Sequence, residues 1–199
     1  MHPQWSVNVF MRTLIKSGVP RFSNLYEEIG PPITEDPPNG FRGGRDKLSW
    51  EHIRWIRENW QGRLVLKGVM HPNDAREAVA AGVDGLIVSN HGGRQLDGSI
   101  SPLQALPDIV DAVSGAMPVM IDGGFRRGAD VLKAVALGAS MVFTGRPQLY
   151  GAAVAGTTGI HKVVDIFLSE IDTNMALLGC SHLSELTSAC LQKIDAPRL

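Results

Sequence analysis

From Ser49 onward the apolar positions switch repeatedly between helical spacing and short unbroken runs. Trp50, Ile53, Ile56 and Trp60 recur close to helical spacing with charges between them, which predicts an amphipathic helix from Trp50 to Trp60. Leu64-Val65-Leu66, ending at Lys67-Gly68, reads as the first strand. His71-Pro72-Asn73-Asp74 then supplies helix-start chemistry for Ala75 to Ala81, and Gly82 stops that helix. Gly85-Leu86-Ile87-Val88 is the second strand, and Pro102 to Ser114 is the helix after it. Pro118-Val119-Met120-Ile121 is the third strand, followed by a helix from Gly128 to Leu137 that Gly138 closes. Met141-Val142-Phe143 is the fourth strand. Gly159 to Leu178 gathers Ile160, Val163, Val164, Phe167, Leu168, Ile171, Met175 and Leu178 on one helical face. Ser181 to Leu191 predicts a short closing helix.

Successive β-then-α units mean parallel strands joined by helical crossovers, and near-continuous apolar strands are expected where both sheet faces are covered. Two architectures compete, an open doubly wound sheet and a (β/α)8 barrel. No GxGxxG turn follows the first strand, which removes the dinucleotide-binding form of the open sheet. Every strand instead ends in polar or glycine residues: Lys67, then Ser89 and His91, then Asp122-Gly123-Gly124, then Gly145-Arg146. Functional side chains at successive strand ends mark the catalytic face of a barrel, and its last two strands commonly bind phosphate. A full barrel needs eight strands and roughly 250 residues. The expectation is therefore an α/β half-barrel of TIM type, with strands near 64–67, 85–88, 118–121 and 141–144. Residues 1–48 form a helix (Trp5 to Ser17) and then a Pro/Gly-rich loop or insertion, with 24–47 expected to be poorly ordered. Residues 49–180 hold the four βα units, and 181–199 a C-terminal helix and tail.

Composition narrows the class. The 199 residues are 44% hydrophobic and 20% charged, with 19 Lys+Arg against 20 Asp+Glu, enough apolar material for a real core. A net charge of −1 gives no electrostatic footprint for nucleic acid. Cys180 and Cys190 stand ten apart without a CxxC, which argues against a disulfide framework or structural zinc and for reduced thiols. No apolar run approaches the ~20 residues of a membrane span, and the start at Met1-His2-Pro3-Gln4-Trp5 lacks a signal-peptide pattern. The expected location is the cytoplasm.

The strand ends carry the candidate chemistry. In Ser89-Asn90-His91-Gly92-Gly93-Arg94-Gln95-Leu96-Asp97, two glycines let the backbone approach a ligand. Arg94 suits a carboxylate through its bidentate fork, and His91 suits proton transfer near neutral pH. The alternative is that His91 only caps a strand while Arg94 pairs with Asp97. Asp122-Gly123-Gly124-Phe125-Arg126-Arg127-Gly128 leads into a helix whose N-terminal amides, with the glycines and a basic fork, read as an anion cradle. Gly145-Arg146 closes that cradle from the next strand, and the pair of turns points to a bound phosphate. Lys67 is either a solvated strand cap or a cation placed against charge developing on a cofactor.

These residues, in this order and at these separations, resemble the FMN-dependent α-hydroxy-acid oxidase/dehydrogenase family from about His2 to Leu191. The motif around His91 is the specific one. His2-Pro3-Gln4-Trp5 and the helix after it look most like the bacterial membrane-associated lactate and mandelate dehydrogenases. The resemblance implies FMN as cofactor and oxidation of an L-2-hydroxy acid to the 2-oxo acid, with quinone, cytochrome or oxygen as electron acceptor. It implies His91 as the base, Arg94 on the substrate carboxylate and Lys67 at the flavin N1/C2-carbonyl edge. Ser89 would contact the flavin, and Asp122, Gly123, Gly124, Arg126, Gly145 and Arg146 would hold ribityl and phosphate.

Family members are about twice as long, so the chain corresponds to the C-terminal half, barrel strands five to eight, and reads as a C-terminal fragment. Missing with the first four strands are the remaining flavin-ring contacts, the substrate-orienting tyrosines and the aspartate that pairs with the histidine. A half-barrel exposes two sheet edges and an apolar inner face. Another copy of the chain, or the N-terminal half of the same enzyme, would cover them. Two other readings stand beside the dehydrogenase: a non-catalytic flavin- or phosphate-binding half-barrel, and a different phosphate-binding barrel enzyme. The last gives no reason for His91 and Arg94 at a spacing of three.

Overall fold

The computed structural model describes residues 3–23, 29–35 and 47–194. The chain divides into two units, 1–49 and 50–199. Most of the segment expected to be poorly ordered (24–28 and 36–46) lies outside the described residues.

In the first unit, α1 (Pro3–Trp5), a π-helical stretch Ser6–Met11 and α2 (Arg12–Ser17) run on without interruption. The helix begins two residues earlier than its sequence pattern suggests, because proline needs no intrahelical N–H partner at a helix start. Gly18 ends it at φ 68°. Beyond it, Arg21 and Pro32 form an antiparallel bridge, supported by hydrogen bonds from Phe22 N–H to Pro31 O (3.1 Å) and from Ile33 N–H to Pro20 O (2.8 Å).

The second unit alternates as expected: α3 (Trp50–Asn59), β1 (Val65–Val69), α4 (Pro72–Ala80), β2 (Gly85–Val88), α5 (Pro102–Val113), β3 (Val119–Asp122), α6 (Gly128–Ala136), β4 (Met141–Phe143) and α7 (Arg146–Leu178). The four strands are all parallel and lie in sequence order, β1-β2-β3-β4. Local chemistry sets the boundaries. His71 caps α4 by accepting from Asn73 N–H, and Ser101 and Gln104 form a capping box on α5.

Register explains burial. Leu66 pairs with Leu86 and Leu86 with Val119, a row that faces the helices. There Leu86, Leu106, Ile109 and Ile121 are fully buried, with Ala75, Ala78 and Ala134 letting α4 and α6 approach closely. The alternate row, Lys67-Ile87-Met120-Met141, faces the other way with Val65 and Phe143. On that face Val65, Met141 and Phe143 stay 42%, 52% and 39% exposed. The strands are apolar on both faces, yet among the described residues only one face is covered. A closed barrel fills the other with side chains from further strands.

Two features depart from the sequence reading. The last long helix starts at Arg146, directly after β4, and breaks at Ala155 (φ −145°) and Gly156 (φ 56°) before continuing to Leu178. Its first part is weakly patterned, so only the part after Gly159 is legible as a helix. Residues 181–191, expected as one helix, make two short 3-10 turns, Leu183–Glu185 and Ser188–Cys190. Tertiary packing decides this: Leu186 is buried against Leu132 and Ala136, which a continuous helix need not achieve. Among the described residues, no helix is long and apolar enough to cross a membrane.

Candidate functional site

The strand ends converge as the parallel topology requires. At the end of β1 the register shifts between Lys67 and Val69, and Gly68 takes φ 107° to make the bulge. Lys67 Nζ then donates to Ser89 Oγ at 2.7 Å and forms an ion pair with Asp122 Oδ2, crossing from β1 over β2 to β3. Ser89 is buried, and its Oγ also accepts from His91 N–H at 3.1 Å. Asp122 Oδ1 is buried with no hydrogen-bond partner. A buried carboxylate oxygen of this kind needs a donor, and the described chain supplies none.

The loop after β2 is held in left-handed backbone, with His91 at φ 58°, Gly92 at 67° and Gly93 at 74°. Such φ values are uncommon for a non-glycine residue and persist where the surroundings enforce them. Here Asn90 does so: its Oδ1 accepts from Gly93 N–H (3.1 Å) and its Nδ2 donates to Ile100 O (3.3 Å). Arg146 Nη2 donates to Gly92 O at 2.6 Å, tying this loop to the start of α7. Asp97 Oδ1 accepts from the adjacent Gly98 N–H, and among the described residues Arg94 forms no ion pair. The alternative pairing of Arg94 with Asp97 is therefore not the one adopted. Nor does any ion pair reach His91 among the described residues.

Lys67, His91, Arg94, Asp122, Gly123, Gly124, Arg126, Gly145 and Arg146 all line one open cavity of about 1000 Å³. Ser89 lines an adjoining cavity of about 560 Å³, together with Lys67, His91 and Gln95. Tyr150, Val154, Lys162 and Phe167 of α7 form a wall that sequence reasoning missed. Its available signal was Pro147, a residue favoured in the first turn of a helix, directly after Arg146.

The anion cradle is arranged differently from the sequence expectation. Asp130 Oδ2 accepts from both Arg126 N–H and Arg127 N–H at 3.1 Å, and Glu170 Oε2 accepts from Gly128 N–H at 2.7 Å. The amides leading into α6, those of Arg126, Arg127 and Gly128, are thus already engaged by the chain's own carboxylates. What the cavity offers an anion is the Arg126 and Arg146 side chains and the turns at Gly123-Gly124 and Gly145-Arg146. At Gly123, with φ 96°, a Cβ would lie 3.2 Å from Pro102 Cγ and 3.4 Å from Asn90 Oδ1. Only glycine keeps that turn close to the His91 loop without strain.

Two carboxylates brace this frame. Glu170 bonds Arg127 Nη2 at 2.6 Å as well as Gly128 N–H, and these bonds, Arg127's first, hold it below the ordinary carboxylate range. Asp84 accepts from Leu64 N–H (2.8 Å), Arg57 (2.9 Å) and Arg63 (3.2 Å). It is lowered first by the Leu64 bond. Both folded-state values are depressed, so the stabilisation is complete above the unfolded carboxylate range of about 4 and is lost as pH falls through the folded values. Thermal midpoints measured between neutral and acidic pH are expected to drop in that window. Asp84→Asn and Glu170→Gln should each flatten the drop, and an unchanged profile in both variants would remove this account.

The FMN-dependent dehydrogenase family profile matches residues 2–193. The chain is 48% identical over 183 residues to an FMN-dependent alpha-hydroxy acid dehydrogenase of Penicillium citrinum, covering 89% of this chain and 46% of that protein. It is 40% identical over 193 residues to an L-lactate dehydrogenase of Acinetobacter baumannii, covering 96% of this chain and 49% of the relative. Among solved structures, an active mutant of (S)-mandelate dehydrogenase is 44% identical with a TM-score of 0.70, over 73% of this chain and 41% of that one. An (S)-mandelate dehydrogenase described as a monotopic membrane protein matches at the same TM-score of 0.70, over 73% of this chain and 39% of that one. The chain spans about half the length of the curated relatives it matches. With these matches laid over a half-barrel whose strand ends share one cavity, the chain belongs to the FMN-dependent dehydrogenase family.

Proposed function

We propose that the cavity binds FMN and that this chain carries the proton-transfer, carboxylate and phosphate groups of an L-2-hydroxy-acid dehydrogenase with a lactate- or mandelate-like substrate. The observation that carries this is Asp122 Oδ1: a buried acceptor without a donor, on a residue that lines a cavity shared with Arg94, Arg126 and Arg146. A ribityl hydroxyl would supply the missing donor, and Arg126 with the Gly145-Arg146 turn would hold the phosphate of the same molecule. When bound, FMN supplies the two-electron acceptor for oxidation of the hydroxy acid.

The chain's own residues do the rest. Lys67 places an ammonium group beside Ser89 and Asp122, where it would stabilise negative charge on a bound flavin ring. Arg94, free of an internal carboxylate partner among the described residues, takes the substrate carboxylate as a fork. His91 accepts the substrate's proton from a loop already held in position.

The second reading, a flavin- or phosphate-binding half-barrel without turnover, is favoured by the absence of any ion pair to His91 among the described residues. A base without a carboxylate behind it loses the group that fixes its tautomer and stabilises its charged form. The half-exposed inner face points the same way, toward a requirement for four further strands from a second copy or from the other half of the barrel. Quinone, cytochrome or oxygen as final electron acceptor, and weak peripheral attachment at the inner membrane face, belong to the first, dehydrogenase reading.

The experiment is a titration of the 199-residue chain with FMN, riboflavin and inorganic phosphate, followed by a dye-reduction assay with lactate and mandelate. FMN is expected to bind more tightly than riboflavin, with Arg126→Ala narrowing the difference and Asp122→Ala weakening both flavins by about tenfold. Turnover is expected to be negligible until complementary strands are supplied. A chain that binds none of the three ligands would overturn the flavin reading. Robust turnover by the chain alone would show that complementary strands are dispensable.

A further inference from the structure

Arg146 stands at the start of α7, beside Gly145, in the turn assigned above to the cofactor phosphate. Its side chain does something that assignment does not use. Nη2 donates to the carbonyl of Gly92, 54 residues earlier in the chain, at 2.6 Å. The packing is close enough that a Cβ on Gly92 would come within 3.1 Å of that nitrogen. Gly92 sits in the middle of the left-handed run His91-Gly92-Gly93, in which His91 is the residue under backbone strain. Ser89 and Asn90 restrain this run from within their own segment, through His91 N–H and Gly93 N–H. Arg146 is the restraint that comes from another strand end.

A guanidinium has five N–H donors in a rigid plane, and the bond to Gly92 uses one nitrogen. The Arg146 side chain also lines the cavity that holds Arg126 and the Gly145 turn. It can therefore hold the Gly92 carbonyl with one edge and an anion in the cavity with the other. We propose that Arg146 is a positioning residue that couples phosphate binding to the order of the loop carrying His91 and Arg94. An anion in the cavity fixes the plane of the guanidinium, and the fixed plane holds the loop in its strained conformation. The free chain then carries a looser loop, and loading the phosphate site completes the geometry for proton transfer and carboxylate binding. This rests on the reading of Gly145-Arg146 as the phosphate turn.

Lysine at this position cannot do both. Its compact ammonium reaches one acceptor as a point charge and lacks the planar fork that bridges two. The coupling therefore separates from the charge.

The test is amide hydrogen exchange across residues 91–94 of the full chain, with and without inorganic phosphate, in the unmodified protein and in Arg146→Met and Arg146→Lys. Exchange in the buried helix α5 serves as the control for global stability. Without phosphate, Arg146→Met is expected to exchange about tenfold faster in this loop, the scale of a lost charge-assisted hydrogen bond, with α5 unchanged. Phosphate should slow the loop in the unmodified protein and leave it unaffected in Arg146→Met. Arg146→Lys should recover part of the resting protection without the response to phosphate. Equal loop exchange in the unmodified protein and Arg146→Met would overturn the proposal, as would a full phosphate response in Arg146→Lys. If a separate titration shows that phosphate does not bind the unmodified chain, the phosphate-turn reading fails and the coupling fails with it. The resting comparison with Arg146→Met then still reports whether the bond to Gly92 holds the loop.

Discussion

Replacing His91 with Asn is expected to lower turnover of a 2-hydroxy acid by about 10²–10⁴-fold once the chain is assembled with complementary strands and FMN, the range for losing a positioned general base. Asn is the right probe because it tolerates the left-handed backbone that His91 adopts at φ 58°, so the loop survives the change. Arg94, proposed for the carboxylate, and Arg126 and Arg146, proposed for phosphate, are untouched. KM and FMN affinity should therefore move little while kcat falls. This pattern separates a chemical role from a structural one, because loss of the loop would raise KM as well. A variant turning over at the unmodified rate would remove His91 from the role of base.

The second large effect is on folding. Gly128 begins α6, and its N–H is held by Glu170 Oε2 at 2.7 Å, so the two helices touch at their backbones there. A Cβ at this position would sit 2.6 Å from Glu170 Cβ, 2.7 Å from Ile171 N and 2.9 Å from Glu170 C. None of those atoms is the free end of a flexible side chain. Gly128→Ala must push α7 away from α6 and stretch the Arg127–Glu170 pair in the same movement. Overpacking of this sort costs about 3 kcal/mol, which lowers the midpoint of a chain this size by roughly 6–12 °C. Because α6 and α7 begin at the two phosphate turns, FMN affinity should fall along with stability. Thermal unfolding by circular dichroism checks the first effect and flavin titration the second. A midpoint unchanged by the substitution would show that the helices are not packed as closely as described.

Much of this site was legible residue by residue. Lys67, His91, Arg94, Asp122, Arg126 and Arg146 stand out because each lies in the polar or glycine segment that ends an apolar run, and parallel strands bring such segments to one end of a sheet. The amide cradle at α6 was misread for a physical reason. A helix N-terminus after two glycines attracts any acceptor, and here the acceptors are Asp130, one turn on, and Glu170, on a different helix. Asp130 was visible as a carboxylate in the first turn. Glu170, 42 residues from Gly128, was not. The wall from α7 escaped because a helix rich in small residues and broken at Gly156 has little periodicity to detect.

The order of the strands and of the helices between them, and the polar groups that close each strand, are written in the sequence; the start of α7 and the turns after it are not. The legible properties are local: side-chain period, capping chemistry and the stop imposed by glycine act over a few residues. Which of those groups are free to act depends on contacts between distant parts of the chain. Lys67 is joined to Asp122 across β2, Arg146 to Gly92 between distant strand ends, and Glu170 to the start of α6. Asp122 Oδ1 is left unpartnered in the same cavity. Such pairings depend on the register of a parallel sheet and the approach of packed helices, which place residues dozens of positions apart within one hydrogen bond.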